Sequence, residues 1–156
     1  MDAIDRKILG LLRQRANITA AEIGTAVNLS IPAVNKRILK LRESGVIRCF
    51  TILTDQKKVG KPIVAYILLT LQYGSAVENL LTCIREDPDI LECYAVTGDY
   101  DYIIKICAAD MEHLEEKLLH LKGQQGVMKS HTMLSLMEHK FAPAALPDEE
   151  SGGGYV

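Results

Sequence analysis

Cationic and amide side chains are concentrated at residues 35–40, and their types suit contact with a polyanion. Lys36, Arg37 and Lys40 carry positive charge, and Asn35 adds an amide that both donates and accepts hydrogen bonds. Such side chains pair with phosphate oxygens and with base edges in the major groove of DNA. The segment therefore predicts DNA contact, with the solvated face of an ordinary amphipathic helix as the alternative.

A single helix between Ser30 and Gly45 is predicted to position these side chains. Ser30 is a favourable N-cap, and Pro32 lies in the first turn, where its missing N–H breaks no intrahelical bond. Gly45 can adopt the left-handed conformation that ends a helix. Because successive residues are about 100° apart, Val34 and Leu41 share an apolar stripe that faces away from the lysines. One side of the helix suits a core and the other suits a polyanion.

Two shorter helices are predicted upstream. Apolar spacing indicates a helix over 3–15 with Asp2 as its N-cap. Residues 19–22, Thr-Ala-Ala-Glu, match a capping box and begin a second helix that ends near Val27. Gly24 inside that helix is expected only to reduce its stability.

The segments on either side of the third helix indicate the type of domain to which it belongs. Asn28 suits the positive φ of the turn that joins the second and third helices. After Gly45 the residues become apolar and β-branched, so 46–53 is predicted as a strand. Three helices followed by a strand predict a winged helix-turn-helix. Residues 54–62 combine turn formers with charge and are predicted as a linker.

Charge is divided unevenly along the chain. Residues 1–62 hold 12 Lys and Arg against 5 Asp and Glu, whereas 63–156 hold 6 against 15, so the two parts carry +7 and −9 and sum to −2. Phosphate contacts need clustered cations. We therefore expect only the first part to bind DNA.

The second part has strand and helix patterns in the order β-α-β-β-α-β, which predicts a ferredoxin-like sandwich and places the chain in the α+β class. Its first strand is almost continuously apolar, which predicts cover on both faces. Gly98 and Asp99 indicate a hairpin turn. One sheet face would carry the helices, and the other, apolar face is expected to pair with a second copy. The predicted elements are 63–72, 75–86, 90–96, 102–108, 110–121 and 127–140.

Composition disfavours several classes of protein. No apolar run approaches the roughly 18 to 20 residues of a membrane span, and residues 1–7 lack the apolar core of a signal peptide. We therefore expect a cytoplasmic, nucleoid-associated protein with no membrane partner. The four cysteines form no CxxC pair, so reduced thiols are expected rather than a metal site or disulfides.

Several short segments, in this order and spacing, resemble the Lrp/AsnC family of feast/famine regulators over residues 2–140. The resemblance implies a winged helix-turn-helix and a RAM-type αβ-sandwich that dimerises through its sheets, with dimers assembling into tetramers or octamers. It also implies transcription regulation by a small effector, usually an amino acid, bound between dimers, with no other cofactor. The segments that carry the resemblance are 4–9, Leu29-Ser30, Val34, Arg37-Ile38, Leu41, 45–47, 60–62 and 97–102.

By this resemblance the DNA-facing residues lie mainly at the start of the third helix, where base reading needs donors and acceptors. Arg37 matches the family most closely, with an ion pair to Glu43 or to an acid of the first helix as the alternative. Leu39 departs from the basic or polar residue common in the family. The predicted DNA-binding residues are Thr19, Ser30, Ile31, Pro32, Ala33, Asn35, Lys36, Arg37 and Lys40.

The predicted effector site centres on the loop at Gly98. Its backbone N–H groups can meet a carboxylate, while Asp99 or Asp101 can accept from an ammonium, so both ends of an amino acid find partners. As alternatives, Met and Leu in strands are more often core, and Asp-rich hairpins are often only turns. The predicted effector-binding residues are Ala95, Thr97, Gly98, Asp99, Tyr100, Asp101, Met111, Thr132, Met133, Leu134 and Ser135.

These patterns divide the chain into four segments. We predict a DNA-binding domain over 1–53, the linker over 54–62 and an effector-binding and oligomerisation domain over 63–141. The polar, glycine-containing tail over 142–156 is expected to be disordered.

Two other functions share parts of this pattern. Sirohaem decarboxylases, which act on haem precursors, have a similar two-domain layout, but Arg85 is the single arginine after residue 62 available to hold a polycarboxylate. An amino-acid sensor without DNA binding is disfavoured by the charge division. The histidines are interpreted as neither catalytic nor metal-binding; His113 and His120 are placed on a helix, and His131 and His139 on the last strand.

Overall fold

The computed structural model describes residues 1–72 and 76–147, without the side chain of Ala76. The described residues divide into two compact units: a first unit of residues 1–52 with 140–147, and a second unit of residues 53–72 with 76–139. No helix in the described ranges is long and apolar enough to cross a membrane.

Three helices build the first unit, and each begins where the sequence predicts. They are α1 (Ala3–Gln14), α2 (Ala20–Val27) and α3 (Ile31–Glu43), with Asp2, Thr19 and Ser30 as their N-caps. Asp2 and Thr19 both form complete capping boxes, which satisfy backbone N–H groups that have no intrahelical partner. Apolar side chains from all three helices make one small core, formed by Ile8, Leu12, Ile23 and Val34.

The turn between α2 and α3 depends on two residues with special backbone requirements. Asn28 has φ of 56°, which confirms its predicted role. Gly24 is more constrained than expected, because a Cβ built there lies 2.5 Å from the carbonyl oxygen of Leu29. The Leu29 N–H also donates to the Gly24 carbonyl at 2.9 Å. Gly24 therefore permits the close approach of the turn, and the interpretation of it as a merely tolerated residue is wrong.

The strand predicted over 46–53 is wrong, because these residues form no ladder. Gly45 has positive φ after α3, as predicted, and the Ile47 N–H then donates to the Leu41 carbonyl at 3.0 Å. Phe50 and Ile52 are exposed. A strand needs a partner strand, and the described part of the first unit contains no other strand to supply one.

The second unit contains β1 (Ile63–Leu71), α4 (Ala76–Glu86), β2 (Ile90–Ala95), β3 (Tyr102–Ala108), α5 (Met111–Lys122) and β4 (Val127–Leu134). The strands form an antiparallel sheet in the order β2-β3-β1-β4, and the two helices pack on one face of it. This arrangement confirms the predicted β-α-β-β-α-β order. The buried core joins alternate residues of β1 and β3 to apolar residues of both helices.

Only one face of β1 is fully buried within a single chain, so the predicted cover on the other face would have to come from a second copy and stays a prediction. Ala65, Ile67 and Leu69 are completely buried beneath the helices. Tyr66 and Leu68 on the opposite face are half-buried, because only neighbouring side chains of the sheet cover them.

The last strand is shorter than predicted. β4 ends at Leu134 rather than continuing to residue 140, because its partner β1 begins at Ile63 and offers no further pairing. Ser135 makes the final contact by donating its N–H to the Val64 carbonyl at 2.9 Å. His139 therefore lies outside the strand. A predicted helix start at Ser75 lies outside the described residues, and so does 148–156, the larger part of the tail predicted to be disordered over 142–156.

Candidate DNA-binding and effector sites

The exposed face of α3 carries most of the polar residues predicted to face DNA. Asn35, Lys36 and Lys40 are exposed, and Val34 and Leu41 on the other side are buried. One helix therefore offers cations and an amide to solvent while its apolar stripe fixes it to the core. Ile31, Pro32 and the family-atypical Leu39 are also exposed, whereas Ala33 is half-buried.

Arg37 is held inside the first unit rather than directed with these lysines. Its Nη1 donates to Oδ2 of Asp2 and to Oδ1 of Asp5, both at 2.7 Å. The backbone N–H of Asp5 and the Arg37 guanidinium hold the pKa of Asp2 below its ordinary value. The structure thus supports the alternative of an ion pair to the first helix, and phosphate contact by Arg37 stays a prediction.

Thr19 and Ser30 begin the two helices through their hydroxyl groups. Thr19 Oγ1 accepts from the Glu22 N–H at 3.2 Å and donates to Glu22 Oε2 at 2.7 Å. This hydroxyl, the Thr19 N–H and the Arg15 guanidinium lower the pKa of Glu22 to about 2. Ser30 Oγ accepts from the Ala33 N–H at 3.4 Å. Both hydroxyls therefore position the helix-turn-helix.

An open groove follows the junction of α2 and α3. Its volume is about 520 Å³, and it lies beside the N-terminal turn of α3. Most of the residues that line it are small or polar, and the full set is Ala21, Gly24, Thr25, Asn28, Leu29, Ser30 and Ile31.

In the second unit, the Gly98 loop has the positive φ, 115°, that its hairpin requires. Asp101 is committed to holding this loop: its Oδ2 accepts from the Leu71 N–H at 2.7 Å, and its own N–H donates to the Leu69 carbonyl at 2.8 Å. One oxygen of the Asp101 carboxylate is thus used within the loop, whereas Asp99 is exposed. Contact of either carboxylate with an effector ammonium stays a prediction.

Two basic residues that sequence reasoning did not assign to the effector site lie beside this loop. Lys129 Nζ is 5.2 Å from the centroid of the Tyr100 ring, and the His131 ring centroid is 6.3 Å from the same ring. On β4, Lys129 lies opposite Thr70 of β1 and His131 lies opposite Leu68. Both are on the sheet face that the helices do not cover. Their two-residue spacing on β4 was the available signal, because alternate strand residues share a face.

The predicted effector residues fall into two groups at opposite ends of the sheet. The Gly98 loop contacts the end of β1, whereas Ser135 contacts its start at Val64. Six residues of strand separate these ends by roughly 20 Å. Ala95 pairs with Tyr102, so it lies at the same end of the sheet as the Gly98 loop. Met111 follows the end of β3 and lies at the opposite end, with Met133 and Leu134. Thr132 lies between these two groups. A single chain does not bring all of them together.

A buried carboxylate missed by the sequence interpretation organises one side of the second unit. Asp89 is 4% exposed. Its Oδ1 contacts Lys61 Nζ, and its Oδ2 lies 3.0 Å from Lys117 Nζ and 3.3 Å from His113 Nε2. Lys117 also bridges to Asp87 at 2.7 Å. Asp87, Asp89, Lys61 and Lys117 thus form an ion cluster, and His113 Nε2 faces its buried carboxylate.

Comparison with known proteins identifies both units. Residues 1–48 match the model of a winged helix-turn-helix DNA-binding domain, and residues 64–145 match that of the Lrp/AsnC ligand binding domain. The chain belongs to the Lrp/AsnC family. The winged helix-turn-helix class is therefore confirmed, although the strand expected after α3 is not formed.

Individual relatives of this Lrp/AsnC protein agree with the assignment. It is 36% identical over 140 residues to the HTH-type transcriptional regulator FL11 of Pyrococcus horikoshii, covering 90% of this chain and 92% of the relative. It is 29% identical to the transcriptional activator DecR of Escherichia coli, covering 96% and 99%. The structure of regulator NMB0573 from Neisseria meningitidis, in complex with L-Met, superposes with a TM-score of 0.89 at 26% identity, covering 93% and 96%.

The Lrp/AsnC chain is accordingly a DNA-binding transcription regulator with a ligand-binding domain, not an enzyme. The decarboxylase alternative and the sensor without DNA binding are both set aside, because the relatives are transcriptional regulators and the first unit is a DNA-binding domain.

Proposed function

We propose that this regulator binds double-stranded DNA through the exposed face of α3 and that an amino acid bound to the second unit modulates this binding. The observation that carries the DNA proposal is the exposure of Asn35, Lys36 and Lys40 opposite a buried stripe. In this proposal Asn35 reads a base edge, and the lysines contact phosphate or guanine.

The other residues predicted to face DNA have supporting roles. Thr19 and Ser30 orient the helices through their caps. Ile31, Pro32 and Ala33 lie at the N-terminal end of α3, which in this proposal enters the major groove of DNA. Arg37 stabilises the unit through Asp2 and Asp5. Residues 1–53 act as the DNA-binding domain, 54–62 as the linker and 63–141 as the effector-binding and oligomerisation domain.

The amino-acid effector is supported by the L-Met complex of the Neisseria meningitidis neighbour. We place the effector carboxylate at backbone N–H groups of the Gly98 loop and its ammonium at Asp99, because the Asp101 carboxylate is already bonded to the Leu71 N–H. Met111, Met133 and Leu134 would favour an apolar side chain. Since these residues lie at the far end of the sheet, a neighbouring copy is needed to bring them to the same effector.

Assembly of the protein with itself follows from the uncovered sheet face. Tyr66, Leu68 and Ile103 are half-buried apolar residues on the face opposite the helices. Pairing two such faces removes them from water and gives a two-fold dimer. We extend this to a tetramer or an octamer of chains built from such dimers, acting in the cytoplasm on the nucleoid.

The effector proposal is tested by melting the full chain with each of the twenty amino acids. A ligand that binds only the native state raises the melting temperature. The same amino acid should then change the affinity for a duplex that the protein has selected from a random library. An absence of any melting shift at millimolar concentrations would contradict amino-acid regulation, and failure to select any duplex would contradict DNA binding.

A further inference from the structure

An ion pair lies among the apolar residues of the sheet face that the helices leave uncovered. Lys105 Nζ is 3.1 Å from Glu92 Oε1. In the sheet register Lys105 lies between Glu92 of β2 and Tyr66 of β1, and Tyr66 lies opposite Met133 of β4. These four side chains form one row across all four strands. The two charged members of the row have no role in the function proposed above.

Lys105 lies inside this face rather than at its rim, because β3 is an interior strand of the sheet. Within a single chain its side chain is 18% exposed and that of Glu92 is 37% exposed. The next row of the same face contains Leu68, Ile103 and Tyr94, and Tyr94 is 58% exposed. A molecule that covers these side chains therefore also removes water from the ion pair.

The contact with Glu92 keeps Lys105 charged in this setting. Burial by itself lowers the pKa of Lys105, but the hydrogen bond and the charge of Glu92 outweigh burial, and the pKa is raised. Tyr66 and Glu138 contribute in the same direction. Lys105 is therefore an ammonium group, and the side chains of Lys105 and Glu92 together carry no net charge.

A covered ion pair and a covered single charge differ greatly in free energy. Removing one partner of a buried pair leaves an uncompensated charge, which is strongly unfavourable, whereas replacing both partners with apolar residues is often neutral or stabilising. In a two-fold dimer a second copy brings the same apolar residues and its own neutral ion pair. No net charge is then buried when the two faces meet.

We propose that the Lys105–Glu92 ion pair selects a second copy of this chain as the partner of the uncovered sheet face. This inference rests on the self-association proposed above and adds the feature that discriminates between partners. A chain with both charges pairs with the native chain. A face of the same shape with a charge at one of the two positions and none at the other is disfavoured, because its single charge loses water without compensation.

The first test measures self-association of the full-length protein by analytical ultracentrifugation over a dilution series. Glu92→Gln and Lys105→Met should each weaken the dimer by at least about tenfold, since each leaves one charge uncompensated in the interface. The double variant Lys105→Met, Glu92→Leu should associate at least as tightly as the native chain. Glu112→Gln and Lys122→Met, at exposed positions of α5, are matched controls and should associate as the native chain does.

A second measurement, by subunit exchange, tests the choice between partners directly. Native chains labelled with donor and acceptor fluorophores lose energy transfer when unlabelled chains enter their dimers. Unlabelled native protein should cause this loss at concentrations at least about tenfold lower than either Glu92→Gln or Lys105→Met.

The outcomes separate this inference from the self-association on which it rests. A native chain that stays monomeric at every concentration overturns both proposals. Native association that the single variants match, or a double variant as weak as the single ones, overturns selection by the ion pair and leaves self-association standing. Circular dichroism checks that each variant is folded, and Lys105→Gln replaces Lys105→Met if that variant is not.

Discussion

Nη1 of Arg37 lies 2.7 Å from Oδ1 of Asp5, so the third helix of the DNA-binding unit is tied to the first. A second contact from the same nitrogen reaches Asp2 at 2.7 Å. The most conspicuous arginine of the recognition segment therefore has an internal role. Lys36, Lys40 and Arg42 are the exposed cations of this helix, and the first two lie on the face predicted to meet DNA.

The capping box at Thr19 makes the stability of the first unit depend on pH in the acidic range. The hydrogen bonds from Thr19 hold the pKa of Glu22 at about 2, below its ordinary value of 4.5. The stabilisation is complete above the ordinary value and is lost as the pH falls towards the folded value. We expect Glu22→Gln to lower the melting temperature at pH 7, and the difference from the native chain to shrink between pH 5 and 2. A difference that is constant over this range would contradict the charge-based account.

Gly24 is required by the turn that sets α3 in place. An alanine Cβ there lies 2.5 Å from the Leu29 carbonyl oxygen, and a backbone atom cannot move away as a flexible side chain would. Gly24→Ala should cost about 1–3 kcal/mol of unfolding free energy, measured by urea denaturation. Gly10→Ala is the matched control, because a Cβ at Gly10 within α1 meets nothing within 4 Å. That control should be neutral or stabilising by up to about 1 kcal/mol, and an equal loss in both variants would show that the close contact is unimportant.

Asp89 holds the ion cluster of the second unit together. Asp89→Asn keeps the shape of the side chain but removes the charge that Lys61, Lys117 and His113 share. Since Asp89 is buried while its partners are partly exposed and can turn to water, we expect a loss of about 1–3 kcal/mol. Urea denaturation at pH 7 measures it, with the exposed Glu112→Gln on α5 as the control. Equal stability of the two variants would mean that the cluster contributes nothing.

Substitutions of Asp99 and Asp101 in the Gly98 loop should differ in their effects on effector affinity and on thermal stability. Asp99→Asn is expected to reduce the affinity for the amino-acid effector by about tenfold, because a charged hydrogen bond is lost, without lowering the melting temperature of the free protein. Asp101→Asn removes the negative charge of the carboxylate that accepts from the Leu71 N–H. This variant should lower both the effector affinity and the melting temperature. Calorimetric titration and thermal melting of each variant distinguish these outcomes. An intact effector affinity in Asp99→Asn would remove that residue from the site.

Signals that act over a few residues were the reliable part of the sequence interpretation. The caps at Asp2, Thr19 and Ser30 depend on hydrogen bonds within one turn, so the three helix starts were predictable. The ends of strands were less predictable, because strand pairing depends on a segment that is distant in the sequence. The segment 46–53 has strand composition but no partner, and β4 ends close to the residues where its antiparallel partner β1 begins.

The partners of charged side chains were the hardest feature to foresee. Arg37 and Asp5 are 32 positions apart, and Asp101 and Leu71 are 30 apart. Nothing in the local pattern distinguishes a lysine that faces solvent from an arginine that pairs with the acids of another helix. The same limit applies to Lys105 and Glu92, which lie 13 positions apart on two neighbouring strands.

The central claim, that the exposed lysines of α3 contact DNA phosphates, is tested most directly by the salt dependence of binding. Fluorescence anisotropy with the selected duplex, at several salt concentrations, compares the native chain with the Lys36→Ala, Lys40→Ala double variant and with Lys122→Ala as control. We predict a loss of at least about tenfold in affinity and a decrease of about 2 in the magnitude of the slope of log K against log salt, with the control unchanged. An unchanged affinity and slope in the double variant would contradict the account.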